Sequence, residues 1–87
     1  MIYTLANDES TAITPLGTHS GMDITIQNIN TSGYIYIDKV DSVSPESYGF
    51  RLPAGAAFSV ELNGKDDLFL CASENGLQAA VLIVGLE

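Results

Sequence analysis

From residue 48 onward the chain alternates between apolar runs and short polar breaks. The runs cover 48–52, 56–62, 68–72 and 78–86; the breaks are Pro53-Ala54-Gly55, Asn63-Gly64-Lys65-Asp66-Asp67 and Ser73-Glu74-Asn75-Gly76. Pro fixes φ, and Gly and Asn accept positive φ, so each break predicts a turn. Strand-length runs punctuated every 8 to 12 residues or so are the pattern of an all-β sandwich or barrel.

The first half is less regular. A short strand is expected over 2–5 and a second over 11–16, where Pro15 suits a sheet edge. Asp23-Ile24-Thr25-Ile26-Gln27 alternates, which turns Ile24 and Ile26 inward. After the polar break 28–33, Tyr34-Ile35-Tyr36-Ile37 has tyrosines on one face and isoleucines on the other. The isoleucines predict the core face, since each tyrosine hydroxyl needs water or a partner. These two strands read as a hairpin. The stretch 38–47, rich in acids and serines, reads as an exposed loop or a crossover between sheets. Runs 68–71 and 79–84 do not alternate, so they need cover on both faces. In a small domain that second cover is expected from another subunit. Only 77–84 has a helical spacing, and its Val-Leu-Ile-Val content favours strand. The fold expected is therefore a small antiparallel β-sandwich, jelly-roll-like, with about 7–8 short strands.

Size and charge narrow the uses of such a scaffold. At 87 residues and 9.2 kDa the chain is one domain with a thin stability margin. Such domains are usually stapled by disulfides, a metal or self-association. A single cysteine, Cys71, and a single histidine, His19, leave self-association as the expected staple. Three basic residues against eleven acidic ones give a charge of −8, which argues against nucleic acid and against an anionic membrane surface. Residues 1–8 lack the pattern of a signal peptide. The longest apolar stretch, 79–84, is far short of a membrane span.

No catalytic constellation accompanies the scaffold. His19 with Ser20 and Asp23 is too close in sequence for triad geometry. Cys71 sits in an apolar run without the cations that make a reactive thiolate, and reads as a small buried hydrophobe. The acidic clusters, Asp8-Glu9, Asp38 and Asp41 with Glu46, and Asp66-Asp67, lack the spacing of a calcium loop. A glycosidase would need two carboxylates in a cleft, and the chain is small and has no Trp. Neither an enzyme activity, a metal nor a cofactor is expected. The side chains available as contact anchors are Tyr3, Tyr34, Tyr36, Tyr48 and Phe69. Arg51 is either a strand charge lying along the surface or a partner for an acid across an interface.

The ordered segments Asp23-Ile24-Thr25-Ile26-Gln27-Asn28, Gly33-Tyr34-Ile35-Tyr36-Ile37, Gly49-Phe50-Arg51-Leu52-Pro53-Ala54-Gly55, Phe58-Ser59-Val60-Glu61-Leu62 and Asp67-Leu68-Phe69-Leu70-Cys71-Ala72 resemble small β-sandwich virion proteins of tailed bacteriophages. The resemblance spans about 23–86. It implies a capsid decoration or cement protein, made in the host cytoplasm and carried on the capsid surface. Its partners would be its own copies, a trimer being favoured, and the major capsid protein. The segment 1–22 departs from the pattern and is expected to add strands or an arm to the 23–87 body. The alternatives are another virion component (head fibre base, connector or tail) and a glycan-binding or adhesive module.

Overall fold

A computed structural model describes residues 1–14 and 21–85. Its regular structure is entirely strand: β1 (Ile2–Thr4), β2 (Thr11–Ala12), β3 (Met22–Asn28), β4 (Tyr34–Asp38), β5 (Phe50–Pro53), β6 (Ala57–Leu62), β7 (Phe69–Ala72) and β8 (Gln78–Gly85). Residues 15 and 16 of the second expected strand lie outside the described residues.

The pairing follows one rule. β1 pairs with β8, β2 with β7, β3 with β6 and β4 with β5, all antiparallel, as in one long hairpin. Rolling that hairpin on itself adds the β3–β8 and β4–β7 pairs. Two four-stranded sheets result, β1-β8-β3-β6 and β2-β7-β4-β5. This is the jelly roll expected from the sequence.

Alternation decides which side chains fill the space between the sheets. β3 offers Met22, Ile24 and Ile26, and β4 offers Ile35 and Ile37, all buried. Leu52, Leu70, Ala79 and Val81 complete the centre of the core with Leu5, Ile13 and Leu77 from the flanking loops. Each fully buried Leu or Ile contributes roughly 1.5–3 kcal/mol relative to exposure. Leu5 and Ile13 bind the described N-terminal residues into this core, and β1 and β2 each form the edge of a sheet.

The expected hairpin between 23–27 and 34–37 does not form, because β3 and β4 belong to opposite sheets. Asn28 is the cause. Its side chain is fully buried, and its Nδ2 donates to the carbonyls of Leu52 at 2.9 Å and Gly33 at 3.2 Å. Its Oδ1 accepts from the backbone N–H and the Nδ2 of Asn30 at 3.1 and 2.7 Å. Asn30 in turn donates to the Gln78 carbonyl at 2.8 Å and accepts its N–H at 2.9 Å. The polar break is thus a corner that carries the chain from one sheet to the other. Gly33 closes it at φ 93°, where a Cβ would lie 2.7 Å from Leu77 Cδ1.

The later breaks turn by two different means. Gly55 and Gly76 take positive φ, as the sequence predicts. No described residue other than glycine does so, and Gly64 does not, which corrects that expectation for the asparagines and for the glycine of the 63–67 break. Asn63 instead turns the chain through its side chain: Oδ1 accepts from Lys65 N–H at 2.8 Å and Nδ2 donates to Asp66 Oδ2 at 2.9 Å.

Candidate functional site

The two sheets present two outer faces, and the residues singled out in the sequence divide unequally between them. On the outer face of β2-β7-β4-β5, period two brings Tyr34 and Tyr36 beside Arg51 and Cys71, with Phe69 opposite Asp38. The loop 39–49 then folds over this face. Val43 from the loop is buried with Tyr36 and Cys71, and Phe69 packs against them. Tyr48 stacks on Tyr36 with ring centroids 4.7 Å apart. The loop keeps its shape through the Ser44–Ser47 backbone pair, at 2.8 and 3.1 Å, and through Gly49 N–H donating to the Ile37 carbonyl at 3.0 Å.

The stretch 38–47 is therefore neither a fully exposed loop nor a crossover, since it joins two neighbouring strands of one sheet. Its Val43 supplies the second cover that β7 needs, a role the sequence reading assigned to another subunit. The consequence is a small satellite core. Burial pushes the Tyr36 hydroxyl up from its ordinary pKa, with the neighbouring Tyr48 adding to the effect. Burial also pushes the Cys71 thiol up, while its Sγ–H points to the Ala6 carbonyl at 3.4 Å. That environment holds Cys71 protonated, the opposite of an activated nucleophile.

Among the expected anchors on this face, only Tyr34 and Tyr48 remain exposed, and Tyr36 and Phe69 are spent on the satellite core. Arg51 lies over the Tyr34 ring at 4.5 Å from its centroid. The guanidinium occupies one face of that ring and leaves it unavailable for stacking.

The outer face of β1-β8-β3-β6 is divided lengthwise. The β3–β6 half is polar: Asp23 faces Glu61, Thr25 faces Ser59 with their hydroxyls 3.0 Å apart, and Gln27 faces Ala57. Across the β3–β8 register the same positions meet Val84, Leu82 and Ala80, and Ala80 in turn meets Ile2. The β1–β8 half is therefore apolar and uncovered. Leu82 is 62% exposed, Ile2 54% and Val84 52%, with Met1 beside them at 81%. Tyr3, the remaining expected anchor, faces inward on β1 and borders a shallow depression of about 280 Å³ with Met1, Val81, Leu82 and Ile83. Ile2, Leu82 and Val84 are exposed aliphatics outside the set of expected anchors, which was drawn mainly from aromatics. Their signal was the failure of run 79–84 to alternate.

Among the described residues no group of three or more His, Cys, Asp or Glu side chains is placed to hold a metal ion. His19 and Ser20 lie outside the described residues, so the triad reading has no geometry to weigh. No described helix is long and apolar enough to cross a membrane. No protein-family model, curated protein or solved structure matches the chain.

Proposed function

We propose that this protein is a structural subunit of a virion, a decoration protein that binds the assembled head of a tailed phage through several copies of itself. The observation that carries the reading is the apolar half of the β1-β8-β3-β6 face, where Ile2, Leu82 and Val84 stand clear of cover from any described loop. Jelly rolls serve as capsid, lectin and cupin scaffolds, so the fold alone does not choose among uses. The apolar face supports a role in lasting contact between proteins, and the resemblance to phage virion proteins supplies the setting.

In that role the protein binds the major capsid protein in the shell but not its dissociated form, which stabilises the particle by mass action. Several linked copies engage several shell subunits at once, so weak single contacts combine into firm attachment. The glycan-binding alternative has less support, because Arg51 lies over the exposed Tyr34 ring.

Quantitative mass spectrometry of purified particles, normalised to the major shell protein, tests the proposal. Copy numbers in the hundreds are expected. A handful of copies would move the protein to a connector or tail, and absence from particles would discard the virion role.

A further inference from the structure

The backbone of β8 beyond Val81 singles out one occupant for the open strand edge that borders the apolar face. Val81 N–H donates to the Met1 carbonyl at 2.7 Å, so Val81 turns its N–H and C=O toward the β1 side. With period two, residues 83 and 85 turn theirs the same way. β1 pairs with Gln78, Ala79 and Ala80, and no described residue pairs with that edge of β8 beyond Val81. The open length carries exposed Leu82 and Val84 on the outer face and Ile83, 38% exposed, on the other. An unpaired, apolar stretch of strand edge is a template for pairing with another strand.

We propose that β8 pairs antiparallel with β8 of a second copy about a two-fold axis, joining the two β1-β8-β3-β6 sheets edge to edge. The register that fits the open positions sets Val84 opposite Val84. Ile83 and Gly85 of each copy then face Gly85 and Ile83 of the other and exchange four N–H···O=C bonds.

Three observations favour a second copy over a foreign strand. In a chain of net charge −8, the stretch 77–86 holds no charged residue, so like meets like there without repulsion. An 87-residue domain whose only cysteine is buried gains the staple that its size calls for. In that register Val84 of each copy, 52% exposed in the single chain, packs against its counterpart on the outer face, and Leu82 beside it extends the apolar strip across the joined sheets. Such an isologous contact closes at two copies. The geometry thus favours a dimeric unit where the resemblance implies three copies. The inference rests on the self-association in the function proposed above and not on the virion setting.

Sedimentation velocity of the full chain between 1 and 100 μM, ranges chosen to bracket ordinary dimer affinities on the order of micromolar, reads the outcome directly. The expected species has twice the 9.2 kDa chain mass. The double variant Leu82→Lys, Val84→Lys is expected to dimerise at least tenfold more weakly, that is by about 1.4 kcal/mol or more, with unchanged circular dichroism. Val84→Cys is expected to form a disulfide-linked dimer on oxidation, and Ala57→Cys, exposed on the far strand of the same sheet, is not. A monomer throughout, a trimer, a dimer that survives the double lysine variant, or a dimer that Val84→Cys fails to cross-link would each overturn the proposal. Copy number in particles is independent of all four results, so failure here and failure of the virion role remain distinguishable.

Discussion

β7 and the second half of β8 pose the same physical problem and receive different answers. Both are apolar on both faces, and both turn one face to the core. Over β7 the outer face closes beneath the chain's own loop, where Val43 buries against Tyr36 and Cys71. Over β8 the outer face stays open, with Leu82 and Val84 more than half exposed. A strand that fails to alternate therefore announces a need for cover but not who provides it. A loop of about 11 residues between neighbouring strands is long enough to reach back across its own sheet; β8 has no such loop beside it among the described residues.

The difference can be broken or sharpened by measurement. Tyr36→Ala removes the central ring of the satellite core and is expected to cost about 3 kcal/mol in urea unfolding. It should also release the loop, seen as faster amide exchange at Ser44 and Ser47. Val43→Ala leaves a smaller void and is expected to cost about 1.5 kcal/mol. A loss for either variant as small as that of a surface substitution would mean that the loop rests on the sheet without stabilising it.

Alkaline pH probes the same core without removing it. Burial raises the folded-state pKa of Cys71 above its ordinary value of 9.0 and that of Tyr36 above 10.0. The folded state thus holds protons that the unfolded chain gives up, and stability is complete below those ordinary values. It is lost as pH rises through the higher folded values. Tyr36→Phe is expected to flatten the part of that fall above pH 10.0 and leave the part due to Cys71. An unaltered profile would place the tyrosine hydroxyl in water.

The smallest effect belongs to the open face. Leu82→Ser, measured in solution dilute enough to hold single chains, is expected to change stability by no more than about 0.5 kcal/mol. A cost similar to that of Val43→Ala would show that the chain itself covers β8.

Much of the fold was legible because local chemistry and tertiary role agree. Ile24 and Ile26 alternate with polar residues and enter the core as the pattern requires. Pro53-Ala54-Gly55 turns where its residues permit a turn, with Gly55 at φ 82°. The misreadings came where a side chain acts over distance. A hairpin and a corner present the same polar break, and only the partners of Asn28, from Gly33 to Leu52, decide between them. The stretch 38–47 looked exposed because its polar composition hides one apolar residue, Val43, which buries against Tyr36 and Cys71. The expected anchors were aromatics, and the chain spends Tyr36 and Phe69 on its own packing. The need of run 79–84 for cover was legible in its failure to alternate, and the register adds which of its residues face outward, Leu82 and Val84.

The pairing of β1 with β8 also governs when the molecule can come into being. Val81 donates to Met1 across 80 positions, and β3 at the centre of that sheet needs β8 as its neighbour. Contacts so distant in sequence fold slowly, since a long loop must close before they stabilise anything. On the ribosome, β3 and β6 emerge and wait with one side unpaired until β8 has been synthesised. Through that interval the nascent chain exposes Ile24, Ile26 and the strand edge beside them. Apolar surface and an unpaired strand edge exposed in that interval are the features that make an incomplete sheet prone to aggregate.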